Sequence, residues 1–180
     1  MSVRATQELT AEHRVIEDVL AALDRVVTEA ARTRVVPAAF LRDLVTFGRT
    51  FVDRCHHAKE ERCFFPCLAN RGVPADGGPI GVMLREHEEG RRLVAVIDDT
   101  LARAEDGRAT LEEVLGACRD YVDLLRAHIA KETQVLFPIG DAVTDEEDDA
   151  GVRRCFEDTD GAFGAGARDV VARLAETLTH

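Results

Sequence analysis

The sequence has no tryptophan and a single tyrosine, Tyr121. It is nonetheless 46% hydrophobic, rich in Ala, Leu and Val, which points to a helical protein with a proper core. No apolar run approaches the roughly 20 residues that cross a bilayer. The opening MSVRATQELT also lacks the apolar segment of a signal peptide. The expectation is therefore a soluble, cytoplasmic chain with no membrane partner. Basic charge is scarce: 23 Lys and Arg face 34 Asp and Glu, for a net charge of −11. Such a balance argues against nucleic acid or an anionic membrane as partner. A disulfide framework is missing too, since the 5 cysteines fall at irregular spacings and read as reduced, buried thiols.

What the chain does have is helical periodicity broken by short turns. A first helix is expected from about Gln7 to Ala31, with Leu9, Ile16, Leu20, Leu23 and Val27 on one stripe. A second starts near Pro37, a residue suited to a first helical turn, and fades near Asn70. After the loop GVPADGGP a third runs from about Ile80 to Glu105, and a fourth from about Leu111 to Asp141. Thr144 with Glu147 resembles a capping box opening a short acidic helix. TDGAFGAGA reads as a flexible joint, and ARDVVARLAETL as a last amphipathic helix. The expected fold class is all-α: an antiparallel up-down four-helix bundle over residues 1–143, with a helical extension over 144–180 packing on it.

The chain also repeats itself. HHAKEERCFFP at 56–66 is echoed by HIAKETQVLFP at 128–138, so that His56, Lys59, Glu60, Phe65 and Pro66 match His128, Lys131, Glu132, Phe137 and Pro138. Leu9, Glu12, His13, Leu20 and Leu23 likewise match Met83, Glu86, His87, Val94 and Ile97. Two copies of one helical hairpin imply a pseudo-twofold axis. At a rise of about 1.5 Å per residue, His13 lies about 25 Å below the first turn and His56 about 28 Å below it. His87 and His128 repeat that arithmetic at the second turn. Histidines from four helices therefore meet at one level, and Glu60 and Glu132, one turn beyond their histidines, project beside them.

Four imidazoles and two carboxylates in apolar surroundings are costly unless something compensates the charge. A pair of metal ions does so, and this donor set suits iron, zinc or manganese. His13 with His56 would hold one ion, His87 with His128 the other, and Glu60 and Glu132 would bridge them. Open coordination positions would remain for a small ligand. His57, turned about 100° from His56, either joins the ligands or stands behind them. Glu12 and Glu86 either orient an imidazole or sit on the surface, while Glu61 and Glu17 read as solvated charges. Tyr121 either packs or approaches the metal.

With these residues in place the chain resembles the hemerythrin-like, or HHE cation-binding, family. The resemblance runs over about residues 7–141, in the order His13, His56-x3-Glu60, His87, His128-x3-Glu132. It implies a non-haem centre of two iron ions, oxo- or hydroxo-bridged, with zinc or manganese as substitutes. Its partner would be a small diatomic ligand, oxygen or nitric oxide, or else peroxide. Oxygen-carrying members have a second histidine where Arg91 stands here, and an aspartate five residues after the last histidine where this chain has Glu132 at four. Those departures speak against reversible oxygen carriage, and the resemblance offers His57 as one source of the missing nitrogen. Ligand capture, catalase-like or oxidase turnover, and metal storage or a structural zinc stay open on the sequence. Ferritin-type bundles are set aside because no Glu-x-x-His occurs.

Overall fold

The computed structural model describes residues 4–162 and 175–178. Helix α1 (Ala5–Thr33) starts where the Gln7 side chain accepts from the Arg4 backbone N–H. It ends at Arg34, which adopts the left-handed conformation at φ 61°. Helix α2 spans 38–70 and α3 is Pro79–Glu105, with Pro79 in the first turn. Helix α4 spans 111–143, and its start is fixed by a reciprocal cap between Thr110 and Glu113. Helix α5 is Glu146–Ala162. No strand occurs among the described residues, so the fold is an all-α helical bundle, as the periodicity indicates.

The helix boundaries agree with the sequence to within a few residues, but two helices differ in kind. Within α2, Gly48–His57 and Glu60–Phe64 are π-helical, and within α4 Glu132–Leu136 is π-helical. These wider turns lie on the histidine–glutamate repeat itself. Such bulges are uncommon and gather at functional sites. The capping box of α5 is shifted by one residue from its expected place. Asp145, not Thr144, accepts from the N–H groups of Glu147 and Asp148, while the Thr144 hydroxyl donates to the Gly140 carbonyl. The expected joint TDGAFGAGA begins inside α5, and its remainder lies outside the described residues. Of the last expected helix only 175–178 is described. It is helical, with Ala175 and Leu178 buried.

Around the bundle α1 neighbours α4, α4 neighbours α3, α3 neighbours α2, and α2 returns to α1. The apolar interior is not continuous. One cluster holds Ile16, Leu20, Leu23, Phe47, Val94, Ile97, Leu125 and Ile129. The other holds Leu9, Phe64, Phe65, Leu68, Met83, Leu136, Phe137 and Phe156. Along every helix the histidine falls between the two: His13 between Leu9 and Ile16, His87 between Met83 and Leu93, His128 between Leu125 and Leu136. A polar layer thus splits the core. Below it α2 and α4 come close, because the Phe64 ring occupies the space a side chain on Gly140 would take, 2.7 Å from an ideal Cβ.

Helix α5 lies against α1 and the second π-helical segment of α2. Phe156, fully buried, joins the lower cluster, and Asp149 accepts from the Ala5 N–H. Here the sequence reading needs correction. Cys63 and Cys155 form a disulfide across 92 residues, whereas reduced thiols were expected at both. Irregular spacing hid the pair because α5 doubles back to α2. Cys55, Cys67 and Cys118 remain outside any disulfide. No helix among the described residues is long and apolar enough to cross a membrane.

Candidate metal centre

His13, His56, His57, His87, His128, Glu60 and Glu132 are all buried, each at most 3% exposed. His13 and His56 pack edge to face with centroids 4.7 Å apart, and His87 and His128 do the same at 4.8 Å. The histidine pairs expected from helix heights are therefore the pairs observed. Glu60 reaches both, with its oxygens 3.6 Å from His56 Nε2 and 3.4 Å from His87 Nε2. Glu132 lies 3.1 Å from His13 Nε2, 3.3 Å from His128 Nε2 and 3.9 Å from His87 Nε2. Donor atoms converge in two groups able to hold a cation. One is His13, His56, Glu60 and Glu132, the other His57, Glu60, His87 and His128, and Glu60 is common to both.

His57 belongs to the second group although it directly follows His56. In a regular helix adjacent residues diverge by about 100°. At the end of the π-helical stretch both His56 and His57 turn inward, and the His57 ring stacks on His87 at 3.7 Å. Position 91, which carries a histidine in oxygen-carrying hemerythrins, does something else here. The Arg91 guanidinium pairs with Asp53 and Glu61 at 2.6 Å and with Glu88 at 2.7 Å.

Each of the four level histidines has its outward nitrogen held from a neighbouring helix. Nδ1 of His56 lies 3.0 Å from Glu12, Nδ1 of His128 3.1 Å from Glu86, Nδ1 of His87 2.8 Å from Glu61, and Nδ1 of His13 3.2 Å from Thr133 Oγ1. An ionised carboxylate only accepts, so the three glutamates fix the proton on Nδ1 and leave Nε2 a lone pair aimed at the centre. Three cations balance them: Lys59 on Glu12, Lys131 on Glu86 and Arg91 on Glu61. Glu12 and Glu86 thus take the orienting role, and Glu61, read from sequence as solvated, takes it too. Its signal was present, since Glu61 and Thr133 stand at matching places in the repeat. Phe137 stacks on His13 and Phe65 on His87, which gives the two FP motifs matching roles as dry floors under the imidazoles.

The inner atoms have no such partners. Nε2 of His13, His56, His87 and His128, Nδ1 of His57 and all four oxygens of Glu60 and Glu132 are buried without a hydrogen bond. Burial, reinforced by the neighbouring Glu132, pushes the Glu60 carboxyl well above its usual range. Burial also opposes ionisation of Glu132, but His128 and His13 hold it down at about 2. Burial lowers His56 to about 4 against the pull of Glu12, and places His57 well below the ordinary histidine value. Imidazoles ringing two crowded, buried carboxylates form a dry cage of donor atoms that nothing within it satisfies. Buried polar groups of native proteins are normally satisfied, so a set of orphaned lone pairs facing one another fits a metal.

A cavity of about 240 Å³ adjoins His57, walled by Val52, Val94, Leu125, Gly48 and Gly90 and by Tyr121. Tyr121 is buried in the upper cluster and lines this cavity, so it packs beside the centre. Gly48 keeps the wall thin, for a side chain there would meet Val94 at 3.0 Å and the Tyr121 hydroxyl at 3.3 Å.

The family model described as the Hemerythrin HHE cation binding domain matches residues 4–139. The iron-sulfur cluster repair protein YtfE of Enterobacter sp. (strain 638) is 33% identical over 86 residues, covering 46% of this chain and 39% of that protein. The YtfE proteins of Escherichia coli O1:K1 / APEC and Escherichia fergusonii match with the same identity and coverage. The matched region is thus about two-fifths of the length of these curated relatives. No solved structure matches significantly.

Proposed function

The chain belongs to the hemerythrin HHE cation-binding family, and from that premise we propose that its histidine layer holds two iron ions and captures a small ligand: oxygen, peroxide or nitric oxide. His13, His56 and Glu132 would hold one ion and His57, His87 and His128 the other, with Glu60 within reach of both. The observation that carries this reading is the ring of buried nitrogen and oxygen atoms without hydrogen-bond partners. Similarity to proteins named for iron-sulfur cluster repair supports iron over zinc. When bound, the iron pair supplies Lewis acidity, exchangeable electrons and open coordination positions.

The chain supplies the rest. Glu12, Glu61 and Glu86 keep the imidazoles in one tautomer and one orientation, so little rearrangement accompanies metal entry. Phe65 and Phe137 exclude water from the floor of the site. The cavity beside His57 has room for a small molecule, with Val52, Val94 and Leu125 as apolar wall and Tyr121, Arg49, Asp53 and Arg91 as polar lining. Arg91, tied to three carboxylates, adds no ligand and steadies Glu61.

The test is anaerobic reconstitution with ferrous iron, then separate exposure to oxygen, hydrogen peroxide and nitric oxide. The reading expects a saturable change in the near-ultraviolet and visible spectrum with at least one of them. A lasting stoichiometric change marks a binder, and sustained oxygen evolution from peroxide marks a catalase-like enzyme. Silence toward all three, or a protein that takes up one zinc and no iron, contradicts it.

A further inference from the structure

We propose that the Cys63–Cys155 disulfide is a reversible thiol-exchange site, and that opening it releases α5 from the buried Lys59 beside the histidine layer. The bond joins α2, three residues beyond Glu60, to the middle of α5. It borders an open groove of about 600 Å³ lined by both cysteines and by Cys67, Arg62, Arg71 and Arg154. Cys155 is only half-buried while Cys63 is 5% exposed, so an incoming thiolate reaches the Cys155 sulfur. Arg71 is paired with Asp145 and Asp148, but Arg62 and Arg154 make no ion pair among the described residues. Glu147 and Asp148 line the same groove, so charge of both signs borders the sulfurs, and access to Cys155 is what opens the bond to exchange.

The bond holds down one half of a broken symmetry. Lys59 and Lys131 occupy matching positions in the repeat, each paired with the glutamate that orients a histidine. Lys131 is 44% exposed, whereas Lys59 is fully buried. The difference is α5: Asp160 lies 3.2 Å from the Lys59 ammonium, and the Phe156 ring sits beneath it at 5.4 Å. From Lys59 the contact runs through Glu12 to His56. Loosening α5 therefore admits water to one side of the histidine layer only.

The reductant is a dithiol. One of its thiolates attacks Cys155 Sγ, the Cys63–Cys155 bond breaks, and Cys63 leaves as a thiolate that takes a proton. The second thiol then attacks the reductant's own sulfur in the mixed disulfide and frees Cys155 as a thiol. Two electrons and two protons pass to the cysteines, and the dithiol departs as a cyclic disulfide. Reversible disulfides of this kind act as sensors in reducing compartments.

The test needs no metal, so it stands or falls apart from the iron reading. Full-length protein is incubated with dithiothreitol under native conditions, alkylated and mapped by mass spectrometry, with parallel lysine acetylation and amide hydrogen exchange. The proposal expects two newly alkylated cysteines, Cys63 and Cys155. Acetylation of Lys59 rises at least tenfold with Lys131 unchanged, and exchange across Glu146–Ala162 quickens at least tenfold while α1 stays protected. Cys155→Ser should give the same Lys59 and α5 readings without reductant. A bond that yields to dithiothreitol only after denaturation overturns the proposal. So does a Lys59 that stays unreactive in both the reduced protein and the variant, or a purified protein in which all five thiols are free.

Discussion

Lys59 is the residue at which chemistry and position are most sharply joined. Its ammonium, fully buried, meets Glu8 at 2.9 Å, Glu12 at 2.5 Å and Asp160 at 3.2 Å. Removing one partner of a buried ion pair leaves charge without water or counter-ion and typically costs about 3–5 kcal/mol, while an exposed pair contributes at most about 1 kcal/mol. Lys59→Met should therefore lower the unfolding free energy by about 3–5 kcal/mol, and Lys131→Met by less than about 1 kcal/mol, as read by urea denaturation. Equal losses would remove the asymmetry from the account. The inner residues make a second forecast. Glu60→Ala and His128→Ala should each lose most of the iron measured by metal analysis, and His57→Ala only part of it. Wild-type iron in both of the first two variants would overturn their assignment as ligands. Most of these residues were legible. Spacing and repeat placed the four histidines and two glutamates at one level, because helix geometry converts residue number into height. Glu61 was misread because its match in the repeat, Thr133, is an unlike residue and its partner His87 stands on another helix.

At the scale of elements, the extents of the helices were legible and the wide turns within them were not. Apolar stripes and caps report where a helix starts and stops. The i→i+5 turns at Gly48–His57, Glu60–Phe64 and Glu132–Leu136 carry no signature of their own. They matter because they fall on the histidine–glutamate repeat, and Gly48–His57 ends on His56 and His57, both buried. The start of α4 is the clearest local signal, with the Thr110 hydroxyl accepting from the Glu113 N–H at 3.2 Å and the Glu113 carboxylate accepting from the Thr110 N–H at 2.7 Å. Losing a cap of this kind costs about 1 kcal/mol. Thr110→Ala should lower stability by about that amount in thermal or urea unfolding and leave metal content unchanged, because the cap lies at the far end of α4 from His128. A loss of metal in that variant would mean that the end of the helix governs the site.

Across the whole molecule, duplication explains the site and α5 breaks its symmetry. Two hairpins, each unable to bury its own histidines and glutamate, close on one another and set a polar layer between two apolar clusters. Cys63–Cys155 is the one crosslink among the described residues that ties the extension back onto the bundle, and it was not legible because pairing depends on how α5 docks. A crosslink that closes a loop of this length raises stability by about 4–5 kcal/mol in the chain-entropy limit. Reduction should therefore lower the urea midpoint of the native protein, and an unchanged midpoint would deny the bond a stabilising role. The central claim is that nitrogen and oxygen donors from four helices surround a pair of cations. X-ray diffraction from iron-loaded crystals at the iron absorption edge tests it most directly. The account predicts two anomalous peaks about 3–4 Å apart, one beside His13 and His56, the other beside His57, His87 and His128, with Glu60 between them. A single peak, or peaks away from these side chains, would contradict it.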